Sequence, residues 1–433
     1  MHNAVKSLFG VMVMMLGAVL ITTFPNNASA DGTVTMRQCI EQAIRYYPLS
    51  GYARAGTGIA ENKFKQSRAS LLPSVNVASS YGRDWGYDYS ITNGGIAALQ
   101  AVAQVDLFNP SSWLSTKALG MSYQTAKFDQ QAVQSELAYT VKTTFIDAVT
   151  YTQRITILRE NISSLGDYLA LTRRLLSSGL VTENDVLRTQ IDLDNSRAEL
   201  QSFIVKRLNS LDTLSSLTGM PITQGAELQW KSVPFTVSSA PALNSVTFDG
   251  NPAMQAVRYE ERSQRYNVSA EKMKHLPTLS LEADAGWLAE PQNTDFANYG
   301  GYSYLATLNF PIFEWGAVSY GVDAAEMGLQ RVHYKQALLR NELTLSYVNA
   351  VKDLANAVER IELYQKDIGL SRKNFKYSEA RYSGGGRISS FEVLLDRQLL
   401  IHTQMSLAAA ESDFYKAIFK IEFLRGEIYG QEN

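Results

Sequence analysis

The chain has 433 residues, with 40 Lys and Arg against 42 Asp and Glu and a formal net charge of −2. This near-neutral balance excludes a protein that binds nucleic acid mainly through excess positive charge. The hydrophobic share of 45% excludes a disordered chain. The single cysteine, Cys39, excludes a disulfide framework and a cysteine-based zinc cluster. The four histidines are far apart and lack metal-ligand spacing, so we predict no metal site and no cofactor.

The first thirty residues have the features of a secretory signal peptide. Lys6 precedes an apolar run from Leu8 to Ile21, and Ala28-Ser29-Ala30 supplies the small residues expected before a cleavage site. An uncleaved membrane anchor is the alternative, but the apolar run is short for it. A lipid-anchored form is disfavoured because no cysteine stands at the predicted cut. We therefore expect an exported protein that loses residues 1–30 and carries no lipid.

The two longest proline-free stretches of the chain have the spacing of coiled-coil helices. No proline lies between Pro110 and Pro221, and none follows Pro311. Apolar residues recur in these stretches in steps of three and four, which is typical of a coiled-coil seam. This pattern predicts two antiparallel coiled-coil hairpins, over residues 112–217 and 316–424.

Each coiled-coil hairpin is preceded by an alternating segment that predicts a β-hairpin. Residues 74–108 and 278–313 are rich in Tyr, Val and Gly and have polar, glycine-containing middles. Their aromatic residues predict a belt at a membrane–water interface. The candidates for this belt are Trp85, Tyr87, Tyr89, Trp287, Tyr302, Tyr304 and Phe313. A water-soluble hairpin with cross-strand aromatic pairs is the alternative interpretation.

Matching residues at a nearly constant separation indicate an internal duplication. Tyr47-Pro48 and Asn251-Pro252 stand 204 positions apart, and similar matches continue along the chain. We predict a first repeat over 31–220, a connector over 221–250 and a second repeat over 251–433. The predicted fold class is α+β and mainly helical, with each repeat made of a helix, a β-hairpin and a long helical hairpin.

Two β-hairpins supply four strands, which are too few to close a barrel in a membrane. Open strand edges are not tolerated in lipid, because their backbone groups have no hydrogen-bond partners there. If the hairpins span a membrane, several chains must therefore share one barrel. Three chains would supply twelve strands, an even number within the usual range.

The turns of the two helical hairpins are similar to each other. They stand as Gly179-Leu180-Val181-Thr182-Glu183-Asn184-Asp185-Val186-Leu187 and Gly386-Arg387-Ile388-Ser389-Ser390-Phe391-Glu392-Val393-Leu394. Together with the export signal, the duplicated unit and the Leu-Pro that enters each β-hairpin, they resemble the TolC family of outer-membrane exit ducts.

The resemblance implies a homotrimer with one twelve-stranded outer-membrane β-barrel that continues into an α-helical barrel in the periplasm. It also implies contact with outer-membrane lipid, and docking to a periplasmic adaptor and an inner-membrane pump. The implied function is passive conduction in efflux or type I protein secretion. A soluble periplasmic coiled-coil scaffold without a pore is the alternative.

The resemblance also implies where a gate and a docking surface lie. The adaptor-docking tips fall on Gly179-Leu180 and Gly386-Arg387. The acidic periplasmic gate begins at Glu392, while its second acid falls on Leu395, with Asp396 one place later. Arg387 is a gate candidate too, as a tether that holds the entrance closed, or else a solvated turn residue.

The gate candidates also have simpler structural interpretations. Ser389-x-x-Glu392 and Thr182-x-x-Asp185 have the spacing of capping boxes at helix N-termini. Arg397 follows Asp396 directly and is expected to offset its charge.

No motif in the sequence supports catalysis. The chain lacks a Gly-x-Ser-x-Gly elbow, a His-Glu-x-x-His pair and a P-loop. Carboxylate pairs such as Asp192 and Asp194 fall on a heavily charged helix face. We therefore predict that the protein is not an enzyme and has no catalytic residue.

Overall fold

The computed structural model describes residues 33–83, 95–230, 247–289, 299–383 and 389–427. The helices in these ranges are α1 (Met36–Tyr46), α2 (Pro48–Ala69), α3 (Pro110–Ser177), α4 (Glu183–Thr218), α5 (Pro252–Met273), α6 (Ala317–Ser383) and α7 (Ser390–Arg425). The strands are β1 (Val34–Thr35), β2 (Ser74–Arg83), β3 (Gly95–Phe108), β4 (Leu228–Gln229), β5 (Thr278–Ala289) and β6 (Tyr299–Asn309). The predicted α+β, mainly helical class is confirmed.

The longest helices are α3, with 68 residues, and α6, with 67 residues. At about 1.5 Å per residue, each is on the order of 100 Å long. α3 begins where the Asn109 side chain accepts a hydrogen bond from the Ser112 N–H, at 3.1 Å, with Pro110 in the first turn. α4 and α7 return antiparallel along α3 and α6. No described helix contains a segment that is both long and apolar enough to cross a membrane.

The four long strands form one antiparallel sheet in the order β2-β3-β5-β6. Val77, Ala101, Ala285 and Tyr302 are paired in turn across the four strands. With 10 to 14 residues each, the strands are long enough to cross a hydrocarbon layer, which takes roughly 9–11 residues. Among the described strands, β2 and β6 each have one neighbour, so both edges of the sheet are free.

The helices next to the sheet follow the same order as the strands. α2 packs on α3, α3 on α5, and α5 on α6. The two outer helices of this layer expose large apolar side chains, Tyr52 and Ile59 on α2 and Tyr320 and Met327 on α6. The sheet and the helical layer therefore end at the same two edges.

The largest hydrophobic core lies midway along the long helices and is closed by α1. Cys39 and Ile40 of α1 are buried with Phe145 and Phe414, and the burial raises the pKa of the Cys39 thiol to about 12. β1 pairs with β4 in parallel beside this core. The ring of Trp230, next to β4, lies 4.8 Å from the ring of Tyr415. This core and the short β1–β4 sheet contain residues of both repeats and lie midway along the long helices, a level named here the equator of the protomer.

Candidate functional site

The four-stranded sheet separates apolar from polar side chains. Residues that are paired across strands, and every second residue along a strand, lie on the same face. One face is mostly apolar and carries Val75, Val77, Tyr81, Leu99, Ala101, Ala103, Ala283, Ala285, Trp287, Tyr302, Tyr304 and Leu308. The opposite face carries Asn76, Gln100, Gln104, Glu282, Asp284 and Ser303.

The apolar face of the sheet is exposed in the single protomer. Val77 is 74% exposed and Tyr302 is 83% exposed, and Trp287 and Tyr304 are exposed on the same face. Phe313 follows β6 and is exposed too. An exposed apolar surface of this extent marks a site that contacts a membrane or another protein. The remaining belt candidates, Trp85, Tyr87 and Tyr89, lie outside the described residues.

The first helical turn lies at the far end of α3 from the sheet. Gly179 has φ 71°, the left-handed conformation that glycine adopts most easily, and the Leu180 N–H donates to the Leu175 carbonyl at 3.0 Å. The Thr182 N–H donates to the Asp185 carboxylate at 2.8 Å as α4 begins. Leu180 is 72% exposed and forms the end of this hairpin.

The second turn is joined to the first by a hydrogen bond. Ser389 Oγ accepts a hydrogen bond from the Glu392 N–H at 3.3 Å as α7 begins. The Ser390 hydroxyl donates to the Asp185 carboxylate, which links the N-termini of α7 and α4. Burial opposes ionisation of Asp185, but hydrogen bonds from Ser390 and Thr182 outweigh it and lower the pKa of this carboxyl. The tip candidates Gly386 and Arg387 lie outside the described residues.

The two acidic gate candidates have different surroundings. Glu392 is exposed in the first turn of α7. Asp396 is half-buried, and its carboxylate accepts hydrogen bonds from Asn374, at 2.6 Å, and from Ser378, both on α6. Leu395, where the resemblance placed the second gate acid, is an exposed apolar residue. Of the two acids, Glu392 is therefore the more exposed.

Arg397 is buried instead of lying over Asp396. Its ion-pair partner is Glu379, at 3.9 Å, on α6. Its guanidinium lies 5.4 Å from the ring centre of Tyr168 on α3 and 4.8 Å from that of Phe375 on α6. Burial lowers the pKa of Arg397, against the opposing effect of Glu379. Arg397 thus joins three helices, a role that the sequence did not suggest.

The aromatic residues around Arg397 form the centre of a small core near the turns. The rings of Tyr168 and Tyr382 lie 5.4 Å apart, and Leu165, Val393 and Leu394 are buried beside them. The Tyr168 hydroxyl donates to the Ser390 carbonyl at 3.4 Å. The sequence pattern suggested no role for Tyr168 or Ser390. The chemistry here is packing and charge placement, and no group of three or more metal-ligating side chains occurs among the described residues.

The sequence matches the family model described as "Outer membrane efflux protein" over residues 52–220 and 245–427. The chain belongs to this family. The resemblance to the TolC family of outer-membrane factors is thereby confirmed. Members of the family are transport channels, and the predicted duct class agrees with this.

Relatives and a solved structure agree with the family assignment. The chain is 21% identical over 379 residues to outer membrane protein TolC of Vibrio cholerae, which covers 84% of each chain. It is 22% identical over 394 residues to proteases secretion protein PrtF of Dickeya chrysanthemi, covering 84% of this chain and 82% of PrtF. The crystal structure of outer membrane protein VceC from Vibrio cholerae has the same fold, with a TM-score of 0.79, 16% identity and coverage of 90% of this chain and 96% of that one.

Proposed function

We propose that three copies of this chain form one outer-membrane duct, which passively conducts substrates of an inner-membrane pump through the periplasm and out of the cell. The observation that carries this proposal is the four-stranded sheet, with one exposed apolar face, one polar face and two free edges. In a closed barrel the apolar face contacts lipid and the polar face lines a wet channel. A pore-free scaffold has no use for such a face, and the comparisons give that alternative no support.

The free edges favour closure by identical copies. The edge strands β2 and β6 and the edge helices α2 and α6 lie on the same two sides of the protomer. Pairing β6 of one copy with β2 of the next also brings the exposed side chains of α6 and α2 together. Two copies would make eight strands, a barrel whose interior side chains fill, whereas three copies make twelve strands with room for a channel.

The helical part of the duct is proposed to meet its partners at the two turns. Helices on the order of 100 Å long extend from the sheet towards these turns, so the turns lie deep in the periplasm in the proposed orientation. Exposed Leu180, with Gly179, Gly386 and Arg387, is the proposed docking surface for a periplasmic adaptor. The description of the family names efflux and the name of PrtF includes protease secretion, and both uses fit a passive duct.

The proposed gate depends more on Glu392 than on Asp396. Glu392 is exposed, while the carboxylate of Asp396 already accepts hydrogen bonds from Asn374 and Ser378. Three copies would place three Glu392 carboxylates around the entrance, where they would favour cations. Arg387 is the third residue of the proposed gate, as a tether of the second turn.

We also propose that the chain is exported with cleavage of residues 1–30 and that the mature protein carries no lipid.

Conductance in planar lipid bilayers tests the duct and its gate together. The purified protein should migrate as a heat-sensitive trimer in detergent and should form discrete channels that prefer cations. Glu392→Ala should reduce this preference more than Asp396→Ala, and Glu359→Ala, an exposed acid elsewhere on α6, should leave it unchanged. A mature protein that is a water-soluble monomer would contradict the duct, and equal effects of all three variants would contradict the gate.

A further inference from the structure

A pocket with two arginines lies between α3 and α4, next to the equator. Its volume of about 340 Å³ is within the usual range for pockets that hold small ligands. Arg159 of α3 and Arg207 of α4 both line it, together with Gln224 from the segment that leads to β4. None of the described residues that line the pocket is acidic. The two positive charges therefore share one concave surface.

Neutral groups hold the guanidinium of Arg207 in place. Its Nε–H donates to the Thr152 hydroxyl at 2.9 Å. Its two terminal nitrogens donate to the carbonyls of Gln224, at 2.9 Å, and Ala226, at 3.3 Å. These acceptors fix the position of the guanidinium without neutralising its charge. Because a guanidinium has five N–H groups, two of those on Arg207 are left for another acceptor.

The charges of the two arginines are not balanced by carboxylates in the described part of the protomer. The ion pairs found there involve other arginines. On their own helices, no Asp or Glu stands three or four positions from either residue, where a local partner would lie. Burial lowers the pKa of Arg207, and the nearby charge of Arg159 lowers it further. An anion bound between the two guanidiniums would offset this repulsion.

The rest of the pocket is partly apolar. Ile155 of α3 and Ile204 and Leu208 of α4 line it beside the arginines. The hydroxyls of Thr152 and Thr156 donate to carbonyls of their own helix, at 2.8 and 3.1 Å, so the arginines supply the donors for a ligand. Since a water molecule takes about 30 Å³ of the liquid, the pocket has room for more than one oxyanion group. Its shape and lining therefore suit an anion that carries an apolar part.

We propose that this pocket binds a small organic anion, whose carboxylate or phosphate group accepts hydrogen bonds from Arg159 and Arg207. The apolar part of the ligand lies against the aliphatic side chains of the pocket. The planar guanidinium matches two oxygens of such a group, and hydrogen bonds between opposite charges are the strong ones. Because Arg207 is already held in place, less side-chain freedom is lost on binding. The proposal does not depend on the proposed duct, since the residues that carry it belong to one protomer.

Isothermal titration calorimetry of the purified protein in detergent tests this pocket. Phenyl phosphate and benzoate carry the two oxyanion groups on the same apolar ring, whereas inorganic phosphate carries the group alone. At least one of the aromatic anions should bind at one site per chain and more tightly than inorganic phosphate, and the tighter of the two identifies the preferred oxyanion. Sodium chloride at matched ionic strength should not displace it. Absence of saturable binding by both, or displacement by chloride, would overturn the proposal, and equally tight binding of inorganic phosphate would overturn the apolar contact.

Three variants test whether binding occurs at the two arginines. Arg159→Gln removes an exposed guanidinium and should leave the fold intact while the dissociation constant rises about tenfold, as expected for the loss of a hydrogen bond to a charged group. Arg207→Lys keeps the charge, loses the planar fork and should weaken binding too. Arg197→Gln removes an equal charge elsewhere on α4, where Arg197 pairs with Asp194 at 3.2 Å, and should leave the constant unchanged. Unchanged binding in Arg159→Gln, or an equal loss in Arg197→Gln, would overturn the assignment.

Discussion

The two repeats end their return helices at equivalent positions but cover those ends differently. Gly219, with φ 70°, directly follows the last residue of α4, and Gly426, with φ 85° and 207 positions later, directly follows that of α7. The ring of Tyr46 lies against Gly219, whereas the backbone of Gly250 lies against Gly426. The duplication has kept the left-handed glycine that closes a helix and has changed what packs on it. Both helix ends therefore have a left-handed glycine, but a side chain packs against it in the first repeat and backbone packs against it in the second.

The same contrast continues at the helix that begins beside each glycine. Asn251 caps α5 by accepting hydrogen bonds from the Ala253 and Met254 N–H groups, at 3.0 and 3.2 Å, and it donates to the Leu424 carbonyl at 3.1 Å. Its counterpart Tyr47 makes no side-chain cap on α2. The second repeat therefore fastens two helix ends with one side chain, and the first repeat relies on ring packing.

The largest predicted effect tests how tightly each glycine is covered. Gly426→Ala should lower the free energy of unfolding by about 3 kcal/mol, because the added Cβ would overlap the backbone of Gly250 as well as strain the left-handed φ. Gly219→Ala should cost about 2 kcal/mol, because the largely exposed ring of Tyr46 is free to move aside. Thermal unfolding of the detergent-solubilised protein followed by circular dichroism measures both. Equal losses of stability would show that the Tyr46 ring is as rigid as the Gly250 backbone.

Asn251 offers a way to separate its two roles. Asn251→Ala should cost about 2 kcal/mol, since it removes the cap of α5 and the donor to Leu424 together. Asn251→Asp keeps the capping oxygen and loses only the donor, so it should cost about 1 kcal/mol. Thermal unfolding of the two variants side by side gives the difference. If Asn251→Asp were as damaging as Asn251→Ala, the link to α7 would be the dominant role.

At the turns, the repeats differ in whether the side chain that caps the return helix can ionise: Asp185 at the start of α4 can, and Ser389 at the start of α7 cannot. The pKa of Asp185 is lowered in the folded protein, so its carboxylate stabilises the tip at pH values above the ordinary carboxyl pKa of about 3.9, and this stabilisation is lost as the pH falls through the folded value. Asp185→Asn should weaken the tip by about 1 kcal/mol at neutral pH and remove this acid dependence. Ser389→Ala should cost about 1 kcal/mol at every pH, since a hydroxyl cap does not ionise there.

Hydrogen exchange of the amides at the start of α4 and α7, measured from neutral to acidic pH, distinguishes these two variants. The unaltered protein should lose protection at α4 on acidification, whereas Asp185→Asn should already show the reduced protection at neutral pH and should lose no more of it on acidification. Acid dependence that persists in Asp185→Asn would assign the effect to another carboxyl.

The fold class could be predicted from local patterns, because proline placement and three-four periodicity act within single helices. The contacts of the tip could not, because they join residues far apart in sequence. Asp185 and Ser390 are separated by 205 positions, and their hydrogen bond depends on how α7 is rotated against α4. Arg397 illustrates the same limit. Its neighbour Asp396 suggested a local charge pair, but helix rotation places its guanidinium between the rings of Tyr168 and Phe375.

The smallest predicted effect concerns the two sheet-to-helix connections. Trp315→Gly should raise the stability of the detergent-solubilised protein by about 0.5 kcal/mol, because relief of the left-handed strain slightly exceeds the added chain entropy of glycine. Trp315→Phe keeps the strained φ and should leave stability unchanged. At the equivalent position of the first repeat, Pro110→Gly should instead cost about 1 kcal/mol, since Pro110 favours the first turn of α3. Thermal unfolding gives the sign of each change. Opposite signs at matched positions would show that Pro110 favours helix initiation whereas Trp315 is held in a strained conformation. A loss of stability in Trp315→Gly would show that the contact of the indole with the Phe313 ring outweighs the backbone strain.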